Sequence, residues 1–346
     1  MSMSNLQMGL AIAGGLVLLA MVLHGAWTFR KNLPRQASPD EPYADTPRDG
    51  SIEPGFDAAA FEGKKAALPS VEKKPTMDAL IDVIAPIALD GPIPGELALA
   101  ALPSTRRVGS KPFAIEGLNA ASEHWELPRA GQRYSTFQAG VQLANRAGAL
   151  NDIEYSEFVV KTQAFCEAIN GTPDFPEMRE QVARARELDQ FASDHDAQLC
   201  FVLRARHAAW SPGYVQQRAS RFGFVAGVIP GRLAIPAVQP GHPPVLNMSF
   251  DTQAAMADDP ALSAIRELVI SLDVAQVSRS EQPFTRMREA ILSLAESMEG
   301  VVTDDNGLAL PAEAMDVIGA ELSLLYDTLD QRDLAAGSVL ARRLFS

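Results

Sequence analysis

The sequence predicts an α+β chain: antiparallel sheets with helices on one face, in two tandem copies behind a single N-terminal membrane-spanning helix. Three observations carry this. An uncharged apolar stretch stands near the start, a Pro-rich segment follows it, and beyond residue 78 short apolar strand patterns alternate with amphipathic helical ones in an order that occurs twice.

The first element is the anchor, residues 1–31. Met8 to Phe29 reads MGLAIAGGLVLLAMVLHGAWTF, with Gly15 and Leu19 inside the run. At a helical rise of about 1.5 Å per residue it covers roughly 33 Å, enough for a bilayer core. No Lys or Arg precedes it, while Arg30, Lys31 and Arg35 follow at once. A cleavable leader needs the opposite arrangement. Positive flanks stay in the cytoplasm, which predicts a single membrane pass with the N-terminus outside and everything after residue 30 in the cytoplasm, Trp27 and Phe29 lying near the interface. Gly9 and Ala13, like Ala11 and Gly15, are small residues four apart, a pattern that suits both a close helix pair and a lone anchor.

Residues 32–77 form the second element, a tether. Seven prolines interrupt any regular structure there, and neither helical nor strand periodicity appears. Fully stretched it reaches about 150 Å, and as a flexible coil it averages about 40 Å.

Composition bounds the remainder. With 346 residues, 47% hydrophobic and 21% charged, the chain is long enough for about two domains with cores of their own. A formal charge of −13 repels a phosphate backbone, so nucleic acid is excluded as a partner. Cys166 falls in a helical pattern and Cys200 in a strand pattern; without partners at metal-ligand spacing, both read as small buried apolar residues.

The two copies are traced by matched segments. Ala79–Ala85 matches Leu199–Ala205 at an offset of 120. Pro94-Gly95 and Pro212-Gly213 each open a helix, and each helix leads to a strand, Phe113–Ile115 or Leu233–Ile235. Longer strands, Ser135–Asn145 and Glu267–Gln276, run into amphipathic helices that end at Gly171 and Gly300, where glycine suits a left-handed cap. Final helices over 176–193 and 311–329 close the units. The second copy adds VVTDDNGLAL, read as a hairpin turning at Asp305-Asn306-Gly307. The expected domains are therefore 78–196 and 197–335, with a C-terminal tail over 336–346.

The order of parts, ending in Gly300-Val301-Val302-Thr303-Asp304-Asp305 and a last helix, resembles the ZipA family of bacterial cell-division proteins; Gly223-Phe224 and the strand Leu268–Val274 fit the same pattern. The likeness covers the anchor and residues 197–330, and it makes residues 78–196 a degenerate extra copy of the domain. It implies that an exposed sheet face binds the C-terminal tail of FtsZ, the tubulin-like ring protein, and ties the ring at midcell to the bacterial inner membrane, with the N-terminus periplasmic and the domains cytoplasmic. The alternative is an adaptor of the same fold that binds a different division or envelope protein.

Alternation in the second domain puts Leu199, Phe201, Leu203, Leu246, Met248, Phe250, Leu268, Ile270 and Leu272 under the helices. Val202, Arg204, Val245, Asn247, Val269, Ser271 and Asp273 fall on the opposite face, and the resemblance adds Ile229 to the protein-binding set. Tyr134, Gln138 and Gln142 take the outward positions of the first domain.

Phosphate-cradling, hydrolase and zinc-protease signatures are missing, so the reading is non-enzymatic, with neither cofactor nor metal. Asp194-His195-Asp196 reads as a solvated helix end, and Asp304-Asp305-Asn306-Gly307 lacks the alternating ligands of a calcium loop.

Overall fold

The computed structural model describes residues 34–37, 77–257 and 263–346. Among these the fold is α+β, with antiparallel sheets packed against helices. The chain divides into two compact units, one holding residues 77–196 and 327–346, the other residues 34–37 and 197–326. No described helix is long and apolar enough to cross a membrane; Met8, Gly15, Leu19, Trp27, Phe29, Arg30 and Lys31, assigned to the anchor, lie outside the described residues.

In the first unit β1 (Asp82–Ala88) leads through β2 (Ile93–Pro94) to α1 (Gly95–Ala101), and then to β3 (Arg107–Val108), β4 (Lys111–Asn119), β5 (Trp125–Glu126) and β6 (Arg133–Gln142). A small ribbon, β7 (Ala144–Asn145) and β8 (Gly148–Ala149), precedes α2 (Asp152–Ile169), β9 (Thr172–Pro173) and α3 (Met178–His195). The sheet order is β3-β4-β6-β1-β9. Strict alternation along β1 buries Val83, Ala85 and Ile87 on one face. Edge-to-face aromatic pairs, Phe113 with Phe158 and Phe137 with Phe165, seat α2 on that face. Asn151 caps α2 by accepting from the backbone N–H of Glu154, whose carboxylate returns to the Asn151 N–H, so two orphan donors of the first turn are satisfied.

The second unit comprises β10 (Gln198–Ala205), α4 (Pro212–Ser220), β11 (Val225–Ala226), β12 (Arg232–Ile235), β13 (Leu246–Phe250), α5 (Thr252–Ala255), β14 (Glu267–Asp273), α6 (Pro283–Met298) and β15 (Gly300–Thr303). Its sheet order is β11-β12-β13-β14-β10-β15. Met287, Ala290, Ile291, Leu294 and Met298 recur at helical spacing and are buried along one stripe of α6. The opposing strand residues Phe201, Leu203, Leu246, Met248, Phe250, Leu268, Ile270 and Leu272 are buried, and Leu199 is half-buried at the strand end. α7 (Ala312–Gln331) follows, and the division between the units falls within it, after Tyr326.

Both sheets place the unit's first strand between its last long strand and the short strand after the helix: β6-β1-β9 in one, β14-β10-β15 in the other. The helices before β9 and β15 end alike, with Asn170 and Glu299 in the left-handed region. This corrects the expectation for the glycines. Gly171 and Gly300 follow the left-handed residue, Gly171 just before β9 and Gly300 opening β15; a Cβ on them would come within 2.9 Å of Ile87 and 2.6 Å of Leu203. Close approach to the neighbouring strand requires glycine there. The same contacts put Ile87 and Leu203 in equal positions, an offset of 116 where the sequence match used 120. Phe113–Ile115 pairs with β6, whereas Leu233–Ile235 lies one strand further out and pairs with β13, so those two segments do not occupy equal places.

Several other expectations are corrected. Residues 34–37 are part of the second unit: the Arg35 N–H donates to the Ala209 carbonyl at 2.7 Å, and the Ser211 N–H donates to the Arg35 carbonyl at 2.9 Å. Arg35 thereby adds a parallel bridge beside Trp210, whose other side pairs with Ile265. At the other end, residues 336–346 are packed structure. α8 (Val339–Leu344) forms there, and Ala341, Leu344 and Phe345 are buried. Arg343 reaches Asp82 with two hydrogen bonds of 2.6 and 3.0 Å. Asp82 alternates with Val83, so this contact lies on the sheet face opposite α2, and the first unit carries helical structure on both faces. Gln142 donates to the Arg343 carbonyl and is buried, and Tyr134 is buried against Phe137; of the three outward positions expected, only Gln138 is half-exposed.

Candidate functional site

The open face of the second unit is built from residues that alternate with the core. Cross-strand registers align two rows. One runs Ala234, Asn247, Ser271, Cys200, and the other Arg232, Ser249, Val269, Val202, Thr303. With strands about 4.8 Å apart, the longer row spans about 19 Å. Arg204 and Glu267 face each other at the end of β10, 3.7 Å apart.

The residues expected to bind a partner are distributed unevenly. Asn247 is exposed and Val269 and Ser271 are half-exposed on adjacent strands, with Arg204 exposed beside them. Val202 is buried on β10 between Val269 and Thr303 and offers little surface. Val245 is buried as well; it precedes β13, where its N–H donates to the Ile235 carbonyl, so strand alternation does not place it on the open face. Ile229 lies in the turn before β12, 60% exposed, next to the fully exposed Val228.

Cys200 was missed as a surface residue. It is exposed on β10 at the end of the first row, not buried. Strict alternation with Leu199 and Phe201 is the signal that places it there. Desolvation and then the charge of Asp305 push its thiol pKa up. Cys166 is buried in α2, where desolvation raises the thiol to about 11. The turn after β15 closes through the Gly307 N–H donating to Asp304 and the Asp304 N–H donating to Leu308, and it brings Asp305 toward β10.

A buried polar cluster lies in the first unit. Lys111, 1% exposed, donates through Nζ to Ser110 Oγ at 2.6 Å, and Ser110 Oγ donates to Glu154 at 3.0 Å. Burial pulls the lysine pKa down, while Glu154 and Asp189 oppose it. A serine beside a depressed lysine has the outline of a nucleophile and its base. Here Lys111 is the donor and the hydroxyl proton is committed to a carboxylate. The Ser110 N–H donates to the same Glu154 oxygen at 2.9 Å, so the cluster fastens the β3–β4 turn to the α2 N-terminus.

Asp194, His195 and Asp196 are each engaged locally. His195 stacks on Phe191 with its Nδ1 2.7 Å from the Phe191 carbonyl, Asp194 accepts from Gln190, and Asp196 forms a two-pronged pair with Arg146. Among the described residues, no group of three or more His, Cys, Asp or Glu side chains is arranged to hold a metal ion. Trp210 belongs to the core: it is fully buried and donates through Nε1 to the Met298 carbonyl. No protein-family model matches this chain, and no curated protein matches it.

Proposed function

We propose that this protein is a non-enzymatic membrane adaptor of bacterial cell division, whose second unit is a ZipA-like domain that binds the C-terminal tail of FtsZ and holds the ring at the inner membrane. The single observation that carries the reading is the uncovered face formed by Asn247, Val269, Ser271 and Cys200, four neighbours on three adjacent strands. The shared strand order, and the glycines that lead into β9 and β15 against Ile87 and Leu203, support a first unit that is a diverged copy of the same domain. The apolar run Met8–Phe29 supports the anchor and an inner-membrane location.

A face of this composition is polar for an apolar peptide groove. That polarity favours, as a second reading, an adaptor for a different division or envelope protein. Titration of the full chain in nanodiscs with a fluorescent FtsZ-tail peptide tests both. Binding that Ser271→Arg weakens at least tenfold (about 1.4 kcal/mol) is the expected result. Absence of binding removes FtsZ as partner, while crosslinking from Cys200 to another envelope protein supports the second reading.

A further inference from the structure

Residues 197–250, from β10 through β13, contain Arg204, Arg206, Arg218, Arg221 and Arg232 but no Asp or Glu, in a chain whose formal charge is −13. Cross-strand registers collect part of that positive charge at one end of the sheet. Arg204 stands opposite Glu267, Phe250 opposite Leu268 and Arg232 opposite Ser249, so the last residues of β10 and β13 and the first of β12 and β14 lie side by side. Arg206 and Arg266 continue from that end, where the Ala205 N–H donates to the Arg266 carbonyl at 2.8 Å. Arg206, Arg232 and Arg266 are exposed and form no ion pair among the described residues. Acids beside them are engaged: Glu267 with Arg204, Glu299 with Arg35, and Asp251 with the Gln253 N–H. Asp258 and Asp259 lie outside the described residues.

The hairpin of β11 and β12 turns at the same end. The Gly227 N–H donates to the Arg232 carbonyl, the Arg232 N–H to the Ile229 carbonyl, and the Phe250 N–H to the Gly231 carbonyl at 3.0 Å, which ties the turn to the end of β13. At its tip Val228 is fully exposed and Ile229 is 60% exposed. Scattered apolar side chains on a surface are ordinary, but two at the tip of a turn, beside a row of arginines about 14 Å long, have the composition of an interfacial membrane contact. Arg35 reaches this end as well: it bridges Trp210, which pairs with Ile265, the neighbour of Arg266. From Phe29 to Arg35 there are six residue steps, at most about 21 Å of chain.

We propose that this end of the second unit rests on the anionic cytoplasmic surface of the bilayer, with Val228 and Ile229 in the interfacial layer and Arg206, Arg232 and Arg266 on lipid phosphates. The orientation rests on the anchor reading above. Guanidinium forks match phosphate oxygens, and each arginine near an anionic surface strengthens the contact about fivefold. Three of them make a weak site, which stays occupied because the short lead from the anchor keeps the local lipid concentration high.

The test uses the full chain with Cys200→Ser, which leaves the buried Cys166 as the remaining native thiol, and a fluorophore on Val228→Cys. A second chain carries the fluorophore on Val238→Cys, exposed beyond the opposite end of β12. Both are placed in nanodiscs of phosphatidylcholine, alone or mixed with phosphatidylglycerol, that hold a lipid-borne quencher. In the mixed discs quenching at 228 should exceed that at 238 several-fold. It should fall several-fold in phosphatidylcholine alone, in 1 M salt, where the screening length is about 3 Å, and when Arg206, Arg232 and Arg266 are all changed to Gln. These three side chains are exposed, and circular dichroism checks that the fold is kept. Equal quenching at the two sites overturns the orientation, and quenching that ignores lipid charge or the three arginines overturns the anionic contact. Flotation with vesicles separates this contact from the anchor. A chain that floats with phosphatidylcholine yet shows no quenching at 228 keeps the anchor and loses the contact. One that floats with anionic vesicles alone, and through the three arginines, keeps the contact and loses the anchor; one that floats with neither loses both.

Discussion

Asp82 is under two opposed influences. Burial at 2% exposure disfavours its charge, while Arg343, and then the Asp78 N–H, favour it; burial dominates, and the carboxyl pKa lies above its ordinary value. A raised folded-state pKa means that Asp82 contributes stability below the unfolded carboxylate range and loses it as pH rises through the folded value. Arg343→Ala removes the compensating cation, moves the folded pKa further up and widens that window. The expected loss is about 3 kcal/mol at pH 7, smaller at pH 5, as read by urea unfolding at both values. With Asp82→Asn as the reference chain, adding Arg343→Ala should cost the same at both pH values. Neither partner was legible as one of a pair, because 261 positions separate them and the last eleven residues carry no pattern that distinguishes a tail from a docked turn of helix.

At the scale of elements, two Pro-Gly pairs with the same sequence role have different reasons for their glycine. A Cβ on Gly95 would lie 1.9 Å from the Arg129 carbonyl oxygen, a backbone atom that cannot step aside, whereas one on Gly213 would meet only Ala37 at 4.0 Å. Gly95→Ala should therefore cost 2 kcal/mol or more, roughly the overpacking range. Gly213→Ala, inside α4, should be neutral or stabilising by up to about 1 kcal/mol. Thermal unfolding of the two variants compares them directly. Alternation and helical spacing in the sequence were enough to find the longer strands, the core of the second unit and the turn at Gly307, because those depend on neighbours along the chain; two-residue strands such as β5 and β9 carry no such pattern. They did not distinguish β12 from β13 as the counterpart of β4, since adjacent antiparallel strands share one pattern. They also misplaced Val245, which stands just outside a ladder, and left Val202 as surface although Thr303 closes over it from a strand a hundred residues later.

For the whole molecule, the proposed anchor changes meaning once Arg35 is placed. Besides its two backbone bonds, its guanidinium reaches Glu299 at 2.5 Å, and this bond is the main cause that raises the arginine pKa and lowers that of the carboxyl. Six residue steps lead from Phe29 to Arg35, at most about 21 Å of chain. If Met8–Phe29 spans the bilayer, the Trp210 edge of the second unit is held against the headgroups, and residues 38–76 do not set its height. Inserting ten Gly-Ser residues between Asn32 and Leu33 should then increase the distance of a label at Cys200 from the lipid, as measured by fluorescence quenching from the bilayer. The same insertion at residue 60 should leave it unchanged. A filament captured on this unit would ride at a standoff fixed by the girth of one folded module: a spacer block rather than a rope.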